Sequence, residues 1–277
     1  MLVGKIPKVR SCLAFRLDAI ARVENPVIRD HIYTWITTGN NVTKQTAAGR
    51  FRDLDETAIS LMRKDSMNVI HDVGVSSGIT SVELLRALQD RGIPHRFYIS
   101  DRYARYGVSG RGLGLVRIFD ADGALLEMYA WGVLAKSNLP RKFFLSRWLY
   151  ALLARTPGKQ EIRPFFLFDR QVMDYMERDL IHFIDYDVFE TRGTPPFTFV
   201  RCMNLLNLSY FSPEKIDAGL RNIIGSLAED GILQLGRTRA DGHNMVGFYR
   251  KTGDGLQLVK EIGGGTELRD LLEKFLR

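Results

Sequence analysis

The segment from Asn68 to Asp101 changes periodicity in an order that few folds accept. Val69 and Ile70 lead into His71, Asp72 and Val73, and a turn of small residues runs from Gly74 to Gly78. Ile79–Asp90 then repeats its apolar residues at helical spacing and stops at Gly92, and Arg96–Ser100 is a second strand that delivers Asp101. A strand, a glycine turn, a helix and another strand make a crossover between parallel strands, and parallel strands need cover on both faces. The segment therefore predicts an α/β domain. Its turn aims a helix N-terminus at a ligand, and its acid stands at the carboxyl end of the neighbouring strand, where hydroxyls of a sugar are held. The expectation is a nucleotide-like cofactor on the carboxyl edge of a parallel sheet.

Around this segment the chain divides into three parts. Residues 1–64 form a helical N-terminal extension or cap, interrupted by Pro26 and Gly39-Asn40-Asn41 and closed by a helix from Asp53 to Lys64. Residues 65–277 form the α/β domain, and 102–164 are inserted into it as a lid or substrate-recognition segment. In the insert, Leu115–Phe119 and Ala124–Tyr129 flank Asp120-Ala121-Asp122-Gly123, a hairpin signal. Phe143–Ala154 is apolar nearly all round, bounded by Arg141, Lys142 and Arg155 with Arg147 inside. Beyond the insert we expect a helix at Gln171–Asp179 and strands at Ile181–Phe189 and Phe197–Asn204. Ser212 caps a helix that starts at Pro213, and Asp230-Gly231 turns it into the strand Ile232–Leu235. Two further strands, Met245–Lys251 and Leu256–Glu261, precede a terminal helix at Glu267–Leu276.

Composition narrows the setting. Cys12 and Cys202 are the two cysteines, which excludes a disulfide framework and a cysteine-only metal site, and no histidine spacing suggests a metal. The expectation is a cytoplasmic protein without a crossing helix or signal peptide, either free or peripheral to the inner membrane face. The net charge of +7 is unevenly placed: 102–164 holds 11 Lys or Arg against 4 Asp or Glu, which equals the whole surplus. A local basic face points to an anionic partner.

In order, these blocks resemble the class I S-adenosylmethionine-dependent methyltransferases, with a pattern similar to their chemotaxis-receptor glutamate methyltransferase branch. The resemblance covers 68–101 and 181–261. The family's first motif, an acid followed by glycines at alternate positions, is met by Asp72-Val73-Gly74-Val75-Ser76-Ser77-Gly78, with Ser76 where the middle glycine is usual. Asp101, followed by Arg102, falls where the family binds ribose hydroxyls. Asp187-Val188 falls where it contacts the adenine, although Asp185 has a comparable claim. Arg201–Leu206 with Tyr210–Pro213 looks like the branch's fourth strand and following helix, and Leu233–Arg237 like its fifth strand.

The resemblance implies a doubly wound, mostly parallel seven-stranded sheet of Rossmann-like type, with the insert as a hairpin-plus-helix lid. It implies S-adenosylmethionine as cofactor and methyl transfer to an anionic small-molecule or lipid-linked acceptor. Asp72, Gly74, Val75, Ser76, Gly78, Asp101, Arg102, Asp187, Val188 and Asn204 are the expected cofactor residues. Because a sulfonium methyl is already activated, transfer needs in-line alignment more than a base, and Asn204, Asn207 and Tyr210 are the candidates for that role. Arg201 is a weaker candidate for an acidic substrate, and His71 is expected in the core. Nucleic acid is not an expected partner, a homodimer is left open, and residues 141–155 are candidates for peripheral membrane contact, an intersubunit helix or a core helix. Two rival readings remain: a non-catalytic cofactor-binding or scaffold protein keeping the fold, and the same fold around another nucleotide such as NAD.

Overall fold

The computed structural model describes residues 48–102, 104–111, 115–119, 123–130, 133–136, 144, 148, 151, 162–190, 196–253 and 255–277. They fall into two compact units, one drawn from 104–168 and the other from 48–102 with 169–277. The extension expected over 1–64 lies outside the described residues up to Ala47, and its remainder holds helix α1 (Arg52–Leu61).

The larger unit is a seven-stranded sheet. After α1 come β1 (Asn68–Val73), α2 (Ile79–Asp90) and β2 (His95–Ser100), the predicted crossover. The chain returns from the insert into α3 (Arg170–Glu177), β8 (His182–Phe183), β9 (Phe197–Met203), α4 (Pro213–Ser226), β10 (Leu227–Thr238), β11 (Asn244–Thr252), β12 (Gly255–Ile262) and the short α5 (Arg269–Leu272). Across the sheet the order is β12-β11-β10-β9-β1-β2-β8. The five strands from β8 to β10 are mutually parallel, and β10, β11 and β12 form an antiparallel meander. This is the doubly wound, mostly parallel Rossmann-like sheet expected. Its topological switch lies between β1 and β9, where ligands of such sheets bind.

The alternation of β1 and β9 assigns each face its helices. Val73, Val200, Cys202, Leu233 and Leu235 face α4, whose Ile216, Leu220, Ile223 and Ile224 are buried as the helical spacing predicts. Ser212 caps that helix, its Oγ accepting the Lys215 N–H, with Pro213 in the first turn. The opposite face carries Asp72 and Arg201 and is covered by α1 and α2.

Three expectations need correction. The strand expected over Ile181–Phe189 contracts to His182–Phe183, pairing with Tyr98 and Ile99 at the sheet edge. Beyond it Asp187 accepts the Phe189 N–H on its own side chain, a local turn that competes with the ladder. Asp230-Gly231 does not separate helix from strand but forms a register shift inside β10, between Leu227 and Ile232.

The insert, thirdly, is more than a hairpin and a helix. The hairpin is present as β4 (Leu115–Phe119) and β5 (Leu125–Ala130), within a five-stranded antiparallel sheet that adds β3 (Arg105–Arg111), β6 (Val133–Lys136) and β7 (Arg163–Phe166) in the order β6-β5-β4-β3-β7. Of Phe143–Ala154, only Phe144, Trp148 and Ala151 are among the described residues, and all three are helical.

Two left-handed glycines separate strain from crowding. Gly92 has φ +64 with nothing within 4 Å of a built Cβ, whereas at Gly78, φ +77, a Cβ would meet Val172 Cγ2 at 2.8 Å. Gly92→Ala should cost about 1–2 kcal/mol for the left-handed conformation. Gly78→Ala should add roughly 1–3 kcal/mol of overpacking to that. Urea unfolding of the two variants tests the order; equal losses would show that Val172 yields freely.

Candidate functional site

All the expected site residues lie in the larger unit, and most stand at the carboxyl ends of its parallel strands. Gly74–Gly78 follows β1, Asp101 and Arg102 follow β2, Asp187 and Val188 lie beyond β8, and Asn204 follows β9. The turn is held to the neighbouring strand as well as to itself, where Gly78 N–H donates to the Val75 carbonyl at 2.9 Å. Gly74 N–H and Val75 N–H both donate to the Ser100 carbonyl, at 2.8 and 3.2 Å. Ser76 N–H donates to Asp101 Oδ2 at 2.7 Å. Gly74, Ser76 and Gly78 all take positive φ. Ser76 thus occupies a left-handed position that glycine fills without strain, and the Asp101 carboxylate holds it there. Gly78 is the N-cap of α2, and no side chain caps that helix.

The glycines also have reasons within the protein. A Cβ on Gly74 would lie 3.1 Å from Leu205 Cδ2, so Leu205, arriving after β9, packs directly on the turn. Gly78 makes the same room for Val172 of α3. Both sides of the topological switch are in this way locked to the loop.

Asp72 is turned into the core beneath the loop. It is buried, with Oδ2 accepting Ser81 Oγ–H at 2.6 Å and Arg201 Nη2 at 2.5 Å, and Oδ1 accepting Arg201 Nε at 3.0 Å. Arg201 is wholly buried, and its Nη1 donates to Asp55 Oδ1 of α1 at 2.8 Å. Arg201 therefore binds the protein's own acids, not an acidic substrate. Asp72 fixes the end of β1 and the start of α2, and its role in the site is through the loop. Sequence reasoning passed over this cluster, although an arginine inside Phe197-Thr198-Phe199-Val200-Arg201-Cys202 was a signal: a charge in a buried strand requires buried partners.

Arg102 and Asp187, expected separately, are paired: Arg102 Nη1 donates to Asp187 Oδ2 and reaches Glu190 at 3.9 Å. The pair spans the ends of β2 and β8. Asp185, the rival acid, is exposed. Val188 is buried, and its carbonyl accepts Asn222 Nδ2 at 2.9 Å.

The three alignment candidates are less concentrated. Asn204, in left-handed conformation at φ 59, accepts the Thr238 N–H on Oδ1 at 2.8 Å and donates its own N–H to the Gly236 carbonyl, clamping β9 to β10. Asn207 accepts the Ser209 N–H at 2.7 Å in a local side-chain turn. Tyr210 is 60% exposed.

Burial sets the titration of His71 and Cys202. His71 is in the core, as expected, with Nε2 at 2.8 Å from Ser100 Oγ. Burial holds its imidazole down to about 4, with Asp72 opposing weakly. Burial pushes the Cys202 thiol up to about 12, which leaves it unreactive. Among the described residues no cluster of His, Cys, Asp or Glu has metal-binding geometry, and no helix is long and apolar enough to cross a membrane.

No family model matches the chain, and no curated protein matches it either. Solved structures that match part of the chain include LepI in complex with S-adenosylmethionine, at 12% identity over 80% of this chain and 38% of that one, with a TM-score of 0.36. The N-methyltransferase NodS from Bradyrhizobium japonicum WM9, in complex with S-adenosyl-L-homocysteine, gives 12%, 70%, 64% and 0.33. Phosphoethanolamine N-methyltransferase 1 from Haemonchus contortus, with phosphoethanolamine and S-adenosylhomocysteine, gives 12%, 82%, 33% and 0.36. The chain spans less than two fifths of the length of LepI. Similarity at this level carries nothing about chemistry.

The buried ion cluster makes two predictions. Arg201→Leu strands two carboxyls in the core and should cost roughly 3–5 kcal/mol. A loss below about 1 kcal/mol in urea unfolding would mean that water reaches the cluster.

The second concerns Asp55, whose carboxyl is pushed up to about 7 by burial, with Arg201 opposing and Asp72 and Glu83 adding to the rise. One guanidinium faces two acids, and Asp72 holds the larger share of its donors. Because the folded value exceeds the unfolded one of 3.8, Asp55 contributes stability that is complete at low pH and fades as pH rises through about 7. His71, depressed from 6.5 to about 4, contributes in the opposite direction over much of the same window. Asp55→Asn should therefore gain stability relative to wild type between pH 4 and 7. Parallel stability curves for the two proteins would refute the shift.

Proposed function

We propose that the larger unit binds S-adenosylmethionine and transfers its methyl group to an anionic small-molecule or lipid-linked acceptor. The observation that carries this reading is the Ser76 N–H to Asp101 contact. It joins a positive-φ turn, an α-helix without a side-chain cap and an acid at the end of the adjacent strand into one surface beside the topological switch. A dinucleotide would call for a three-glycine turn, and Ser76 stands against that.

The residues fit this cofactor in part. Asp101 would hold the ribose hydroxyls, steadied by the Ser76 N–H, and the Gly74–Gly78 backbone would lie along the methionine end. Asp187 and the Val188 backbone would face the adenine, with Arg102 fixing the Asp187 carboxylate in place. Asp72 acts behind them by securing the turn to Ser81 and Arg201. The bound cofactor supplies a methyl group on a sulfonium, already electrophilic. The protein's task is to align an acceptor in line with it and to exclude water. The anionic character of the acceptor is inferred from the +7 surplus of 102–164. A reducing, cytoplasmic setting belongs to the same proposal.

The assignment is to the superfamily and not to the chemotaxis-receptor branch. Within the stretch that suggested the branch, Arg201–Leu206 with Tyr210–Pro213, Asn204 spends its side chain on a backbone group, as does Asn207 between the two blocks. That observation favours a second reading, a non-catalytic cofactor-binding or scaffold protein that keeps the fold. Binding without turnover across a broad acceptor screen would select it.

Calorimetric titration with S-adenosylmethionine tests the primary step. Wild type should bind in the micromolar range, and Asp101→Ala should weaken binding at least tenfold, about 1.4 kcal/mol. No binding by folded wild type, alone or with candidate acceptors present, would overturn the cofactor.

A further inference from the structure

Three successive amides of the glycine turn hang on two successive residues at the end of β2. The Ser100 carbonyl accepts the Gly74 and Val75 N–H groups, and the Asp101 carboxylate accepts the Ser76 N–H. Where Ser100 sits therefore decides where the turn sits. Ser100 is buried, and its own side chain is anchored in turn.

The anchor is His71. It pairs with Tyr98 while Val73 pairs with Ser100, so His71 and Ser100 are diagonal neighbours on one face of the sheet. His71 Nε2 lies 2.8 Å from Ser100 Oγ. Asp72, the next residue of β1, points to the other face and holds Ser81 and Arg201. Two adjacent residues of β1 thus brace the turn from both sides of the sheet.

An imidazole is an expensive way to fill this place. His71 is wholly buried, with its ring centroid 4.6 Å from that of Phe197 and 5.0 Å from that of Tyr186. Its Nδ1 has no hydrogen-bond partner, and neither has the buried Tyr186 hydroxyl beside it. Phenylalanine would keep the ring contacts and strand no ring nitrogen. Among the described residues, Ser100 Oγ is the one hydrogen-bond partner of the imidazole, and that bond is what distinguishes histidine here. An orphaned buried N–H is rarer than an under-used acceptor, which puts the proton on Nε2 as donor to Ser100 Oγ.

We propose that His71 is a positioning residue for the glycine turn. It holds Ser100 through its Nε2–H, and through Ser100 and Asp101 it fixes the amides of Gly74, Val75 and Ser76. The consequence for cofactor affinity rests on the S-adenosylmethionine reading, whereas the effect on the turn does not.

Amide exchange measured by NMR without ligand tests it on His71→Phe, Ser100→Ala, the double variant and His71→Gln. Gly74, Val75 and Ser76 should exchange about tenfold faster in the first three, the factor that one buried hydrogen bond supplies. Amides of β11 should keep their wild-type rates. The double variant should show no further increase, because both substitutions remove the same bond. It also removes both partners at once, so it should fold with near wild-type stability and its loosened turn cannot be read as unfolding. Glutamine carries an N–H near the place of Nε2, and His71→Gln should restore most of the protection. Titrated with S-adenosylmethionine, the first three variants should bind several-fold more weakly than wild type and His71→Gln nearly as well. Unchanged exchange at the turn, additive increases in the double variant, faster exchange throughout the sheet, or a His71→Gln no better than His71→Phe would each overturn the assignment. Absence of binding by wild type would instead remove the cofactor reading and leave the exchange result to decide the role of His71.

Discussion

The larger unit is organised around a single buried guanidinium. Arg201, in the middle of a fully covered strand, binds Asp72 on β1 through two nitrogens and Asp55 on α1 through a third. A charge in that position is tolerable only if its partners arrive with it, so strand β9, strand β1 and helix α1 must assemble together. Asp72 in turn holds Ser81, which sets the first turn of α2 and hence the path of the glycine loop. The loop's shape is thus a consequence of electrostatics in the core beneath it, as much as of its own glycines.

Above that cluster the carboxyl edge is built from contacts between successive strand ends. Ser100 and Asp101 receive the N–H groups of the loop, Leu205 packs on Gly74, and Asn204 clamps the strand beside it. Such an edge is braced because the Gly74, Val75, Ser76 and Asn204 N–H groups, as they turn away from the sheet, each have a partner on a neighbouring strand or strand end. Bracing suits a reaction that asks for alignment more than for acid–base chemistry. The same economy leaves Asn207 and Tyr210 with local duties, a side-chain turn and a largely exposed ring.

The inserted unit follows other rules. Its antiparallel sheet needs no crossover helix between paired strands, so it imposes no regular strand–helix alternation to read. The Leu115–Phe119 hairpin was visible because Asp122-Gly123 announces its turn. β3, with glycines at 107 and 110 and arginines at both ends, has neither a clean period nor strong strand residues. The short β8 falls short of its expected length for the complementary reason. Ile181–Phe189 is apolar enough for a strand, yet an edge position offers one neighbour, and Asp187 uses its own side chain to bend the chain away.

What the sequence determined by itself was local and periodic. The alternation from Asn68 to Asp101, the Ser212-Pro213 helix start and the paired final strands follow from propensity, capping and spacing, which act within a few residues of one another. Tertiary structure decided the long-range pairings: Arg201 with acids 129 and 146 residues away, Arg102 with Asp187 across 85 residues, and Asp101 with the Ser76 N–H. No period encodes such contacts, because they depend on which strands become neighbours. That is settled by the crossover geometry of the whole sheet and not by any one stretch of chain.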